Sequence, residues 1–85
     1  MPTHNHVLTT TAQLGQILQA SRKAKKWSQA QLAGKLGLSQ SRVSHLELHA
    51  EELSFAQLIT WCAVLGLELS VGLRETRTER TSTDW

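Results

Sequence analysis

At 85 residues with a formal net charge of +2, the chain has room for one domain, and folding at this size removes only ~60% of the unfolded surface from water. Its single cysteine, Cys62, allows no intrachain disulfide to supplement so small a core, which points to a reducing cytoplasm and to oligomerisation as the extra support. The opening stretch "MPTHNHVLTTTAQ" lacks the charged and apolar regions of a secretory signal, and no run of ~18 apolar residues is present to cross a membrane.

Residues 1–9 read as a flexible N-terminus. His4 and His6 lack the further ligands and the carboxylate that metal chemistry requires, so no metal is assigned to them. Thr10 and Gln13 then form the first of three capping signatures, in which a Ser or Thr and a Gln three residues later satisfy each other's free backbone N–H groups. Leu14, Ile17, Leu18 and Ser21 line one face of the helix that follows, expected to run to about Lys25.

From Ala20 to Leu46 the charge has one sign: Arg22, Lys23, Lys25, Lys26, Lys35 and Arg42 stand with no acidic residue among them. Such a segment suits a polyanion, because neutralising phosphates releases counterions. Lys25 and Lys26 are its candidates for phosphate contact, and Trp27 is expected to pack inward beside the second helix. That helix opens on the Ser28–Gln31 signature, buries Leu32, Ala33 and Leu36, and stops at Gly37, a residue suited to the left-handed conformation past a helix end. Ser39 is the natural N-cap of a third helix reaching about Leu48. Two short helices joined through a glycine turn of this length form a helix-turn-helix.

At ~100° per residue, Val43, Leu46 and Glu47 fall on one side of the third helix, with Ser41, Ser44 and His45 on the other and Gln40 in the first turn. A merely solvated face carries Lys and Glu. Amides, hydroxyls and an imidazole are instead the groups that read base edges, and short side chains let a helix enter the major groove. Gln40, Ser41, Ser44 and His45 are therefore the candidate base contacts.

The third signature, Ser54–Gln57, opens the helix "FAQLITWCAVL", which ends at Gly66. Phe55, Leu58, Ile59, Cys62 and Leu65 are expected to face the core, with Trp61 and Val64 on a flank that needs a second surface to cover it. Cys62 has no activating base and reads as a core residue, not a nucleophile. Next, "LELSVGL" places Leu67, Leu69, Val71 and Leu73 at strand spacing. A lone strand is unstable, so pairing with the same strand of a second subunit about a two-fold axis is expected. The expected dimer interface is Trp61, Val64, Leu67, Leu69, Val71 and Leu73. The fold class is thus all-α, about four helices over residues 10–73, plus one C-terminal β-strand pairing across a homodimer. Residues 74–85, "RETRTERTSTDW", mix charges with Thr and Ser and are expected to be disordered in isolation. No phosphate loop, paired catalytic acids or catalytic triad is present; neither an enzyme nor a cofactor is expected.

The stretch "SQAQLAGKLGLSQSRVSHLE" resembles the helix-turn-helix core of Xre or Cro-type repressors. The matching positions include Ser28, Gln29, Leu32, Ala33, Gly37, Gln40, Val43, Ser44 and Glu47, and similarity runs from about Thr11 to Gly66. The resemblance implies phosphate contacts from Ser28, Gln29, Ser39 and Arg42, and a structural ion pair between Arg22 and Glu47. It implies a homodimer on a pseudo-palindromic double-stranded DNA operator. The chain departs from the pattern after the recognition helix, where "LHAEEL" replaces glycine and basic residues, and Glu51 and Glu52 near phosphates would repel them.

The "LELSVGL" segment and the polar tail ending in Trp together resemble HipB-type antitoxins. That resemblance implies a cytoplasmic autorepressor that neutralises a HipA-like kinase toxin, with Asp84 and Trp85 as a toxin-binding tail. The alternative is a stand-alone or phage-type regulator without a toxin partner.

Overall fold

A computed structural model of the chain describes residues 6–73. It has four helices and, among the described residues, no strand: α1 Thr11–Ala24, α2 Gln29–Leu36, α3 Gln40–Leu48 and α4 Phe55–Leu65, with a short 3-10 turn at Ala50–Glu52. All three capping boxes form. Gln13 N donates to Thr10 Oγ1 and Thr10 N to Gln13 Oε1; the Ser28–Gln31 and Ser54–Gln57 pairs repeat the exchange at 2.8–3.0 Å. Each box satisfies otherwise orphaned N–H groups of a helix start. At α3 the N3 residue is Arg42, so Ser39 caps alone, its hydroxyl accepting from Arg42 N at 3.1 Å.

The helix ends are closed by left-handed residues. Gly37 at φ 72° and Gly66 at φ 76° follow α2 and α4, and the next N–H in each case returns to the helix, Leu38 N to Ala33 O and Leu67 N to Cys62 O. After α1 the same motif is built on Lys26, at φ 61°. Lys26 N donates to Lys23 O and Trp27 N to Arg22 O. A lysine there carries the cost of a Cβ in the left-handed region, roughly 1 kcal/mol, which glycine avoids. Lys26→Gly is therefore expected to raise stability by about 0.5–1 kcal/mol, read as a higher urea midpoint at unchanged slope.

Leu18 of α1, Leu32 and Ala33 of α2, Val43 and Leu46 of α3 and Trp61 and Leu65 of α4 form one buried cluster, with Trp27, Leu36, Leu38 and Leu58 packed around it. The face of α4 differs from expectation. Phe55 and Ile59 are 70% and 44% exposed, whereas Trp61, placed on a flank by the sequence, is 1% exposed in the core. A helix apolar almost all round gives periodicity little to select on, and burying the indole removes far more apolar area from water than burying either rival. This burial takes Trp61 out of the surface available to a second subunit within this packing.

Leu67 and Leu69 are half-buried, while Val71 and Leu73 are exposed. No β-ladder occurs among the described residues; the expected strand needs a partner that one chain does not supply. Residues 1–5, with His4, and the tail with Asp84 and Trp85 lie outside the described residues.

Candidate nucleic-acid interface

The recognition surface begins with what holds α3 in place. Val43 and Leu46 enter the core at 0% exposure, and between them and the C-terminus Glu47 is buried as a charge. Its carboxylate accepts from Arg22 Nε at 2.7 Å and Arg22 Nη2 at 3.2 Å. It also accepts from Gln29 Nε2 at 3.1 Å. Arg22 Nη1 donates to Trp27 O. One carboxylate thus ties together α1, the start of α2 and the end of α3, and charge-assisted bonds of this kind fix orientation as well as energy.

With that face committed, α3 turns Gln40, Ser41, Arg42 and His45 outward, with Ser44 half-buried. Ser39 Oγ and Ser41 Oγ lie 3.3 Å apart beside the N-cap. Gln40, Ser41, Ser44 and His45 therefore lie on the side of α3 away from the core, and the Ser28 cap in the first turn of α2 is likewise exposed. Gln29 sits at that turn with one amide hydrogen engaged by Glu47, which leaves its second hydrogen and its backbone N–H for an anion.

Lys25 Nζ lies 5.3 Å from the Trp27 ring centroid and 3.6 Å from where a Cβ on Gly66 would stand. Its charge therefore faces the C-terminal end of α4, the negative end of the helix dipole. Lys35 Nζ sits over the same indole at 4.6 Å. Trp27 is half-buried between two cations, a placement that neither inward packing nor a sugar contact, the two readings its sequence position offers, includes.

In the acidic turn after α3 both carboxylates lie beside histidines. The Glu52 carboxylate is 2.8 Å from His45 Nε2, and that hydrogen bond holds its carboxyl below the usual value. Glu51 lies 3.4 Å from His49 Nδ1. These pairs had no sequence signal, because they depend on the backbone bend at His49, φ −128° and ψ 63°. His49, Glu51 and Glu52 bring ligand-type atoms within 4.8 Å of one another, all on an exposed turn with no built cation site.

Residues 18–71 match the helix-turn-helix family model. No curated protein sequence matches the chain. Solved structures that share its fold include two HipB complexes. A chain of the HipA-HipB-O2-O3 complex is 20% identical with a TM-score of 0.74, covering 84% of this chain and 100% of its own length. A chain of the HipB-O1-O2 complex is 20% identical with a TM-score of 0.71, covering 80% of this chain and 99% of its own.

Proposed function

We propose that this chain, which belongs to the helix-turn-helix family, is a sequence-specific transcriptional repressor that inserts α3 into the major groove of double-stranded DNA. The observation that carries the reading is the outward face of α3. Gln40, Ser41, Ser44 and His45 are side chains that bond base edges, and they are held on a helix pinned from behind by Glu47, Val43 and Leu46. Gln40 can bond adenine bidentately, while Arg42 and the start of α2, with Ser28, Gln29 and Ser39, serve the phosphates.

Two copies acting as a homodimer would place two such helices in successive grooves of a pseudo-palindromic operator, ~34 Å apart or a multiple of that. Exposed Phe55 and Ile59 of α4, half-buried Val64, and Leu67, Leu69, Val71 and Leu73 after it offer the apolar surface for pairing. In this reading residues 67–73 form the strand only in the dimer, and Phe55 and Ile59 take the place first assigned to Trp61. The likeness to chains in HipB complexes supports the finer proposal of a cytoplasmic antitoxin that binds its own promoter and holds a HipA-like kinase inactive, with Asp84 and Trp85 in the contact. Deleting residues 74–85 is then expected to abolish binding to a purified HipA-like kinase while leaving DNA binding intact. Retained kinase binding would favour a regulator whose tail has another use.

The test of the central reading is Gln40→Ala. Discrimination between a selected operator and random duplex should fall by ~1–2 kcal/mol, whereas Arg42→Ala should weaken both alike and reduce the salt slope by about one. Equal losses on both DNAs for Gln40→Ala would remove it from the base-reading set.

A further inference from the structure

On the outer face of α3 the ring of His45 is held by two contacts. Its Nε2 lies 2.8 Å from Glu52 Oε1, on the 3-10 turn that follows the helix. Its ring lies against that of His49, with centroids 4.6 Å apart and planes 30° from parallel. These contacts fix both the plane and the rotation of an imidazole whose side chain remains 43% exposed.

A neutral imidazole carries one proton, and the partner of one nitrogen decides which nitrogen bears it. An ionised carboxylate only accepts. Glu52 is kept in that form first by the hydrogen bond from His45. The proton therefore belongs on Nε2, and Nδ1 keeps a bare lone pair.

We propose that Glu52 is a specificity-determining residue of the DNA-reading face: by holding the proton of His45 at Nε2 it makes the ring an acceptor toward DNA. On the strand His45 faces, the major-groove edges that donate are the N6 amino group of adenine and the N4 amino group of cytosine, whereas guanine and thymine present acceptors. His45 thus selects A or C at its position, and Glu52, which touches no base, sets that choice. The inference rests on the reading of α3 as the base-reading helix.

The experiment is selection from a duplex pool randomised over ~20 base pairs at about pH 8. It uses the full chain and the variants His45→Ala, Glu52→Ala and the double variant. Both side chains are exposed, so all four proteins are expected to fold. His45→Ala should erase an A-or-C preference at one position per half-site and thereby identify it. Glu52→Ala should lower the ratio of A or C to G or T at that same position roughly tenfold, and the double variant should match His45→Ala. A preference unmoved by Glu52→Ala overturns the proposal, even if affinity for every sequence rises from the lost negative charge. So does a preference for G or T at the His45 position. A full chain that enriches no sequence overturns the reading of α3 itself, an outcome distinct from enrichment that Glu52→Ala leaves unchanged.

Discussion

Glu47→Ala is expected to cost about 3–5 kcal/mol of folding stability, a large part of the roughly 5–10 kcal/mol that holds a domain of this size together. The Glu47 side chain is 1% exposed and that of Arg22 7%. Removing the carboxylate strands a buried guanidinium whose remaining partner is the Trp27 carbonyl and leaves Gln29 Nε2 without its acceptor. Burying an unpaired charge accounts for most of this cost, so the net contribution of the pair itself is smaller. The double variant Arg22→Met, Glu47→Leu removes both charges and should recover most of the loss. It should not recover DNA binding in full, because the amide of Gln29 would no longer be tethered at the start of α2. Urea unfolding of the single and double variants checks the first part, and salt-dependent binding to random duplex checks the second. A single variant that loses less than about 1 kcal/mol would show that the pair is solvated in solution.

The other acidic residues near α3 also have partners. Glu47 faces inward and is neutralised by Arg22. Glu52 and Glu51 are placed against His45 and His49. The acidic side chains near α3 each have a partner, while Arg42 is exposed beside them. Charge on this surface is therefore organised by pairing, which the net value of +2 does not reveal.

What could be read from the sequence was local. The three capping boxes depend on residues three apart, Gly37 and Gly66 mark ends that other residues reach only under strain, and the faces of α3 follow from its periodicity. α1 ends at Ala24, one residue before the expected limit, because the chain turns on a left-handed lysine; no sequence pattern announces Lys26 in a role usually held by glycine. The rotation of α4 was hidden because its apolar residues surround the axis, and packing against α1 and α2 buries the larger indole of Trp61 while Phe55 stays exposed. The His45–Glu52 contact spans a bend whose backbone angles no pairwise spacing encodes. Arg22 and Glu47 stand 25 positions apart; family resemblance, not periodicity, brought them together.

Gly15→Ala should destabilise the protein by about 2 kcal/mol, against the usual preference for alanine in a helix. Mid-helix, alanine is ordinarily favoured over glycine by ~1 kcal/mol. Gly15 is buried where α1 crosses the end of α3, and a Cβ there would stand 2.5 Å from the Glu47 carbonyl oxygen and 3.5 Å from its carbon. Both are backbone atoms of a residue fixed by the Arg22 pair, so neither can swing aside as a side chain would. The helices must separate, and overpacking of this kind costs ~1–3 kcal/mol or more, enough to reverse the propensity gain. Gly34→Ala is the matched control: it lies in α2 with nothing within 4 Å of its added carbon and should gain up to about 1 kcal/mol. Urea midpoints of the two variants must therefore move in opposite directions. If Gly15→Ala also stabilised, α1 and α3 would not approach as closely as the geometry requires, and the rigid seating of Gln40 to His45 would lose its support.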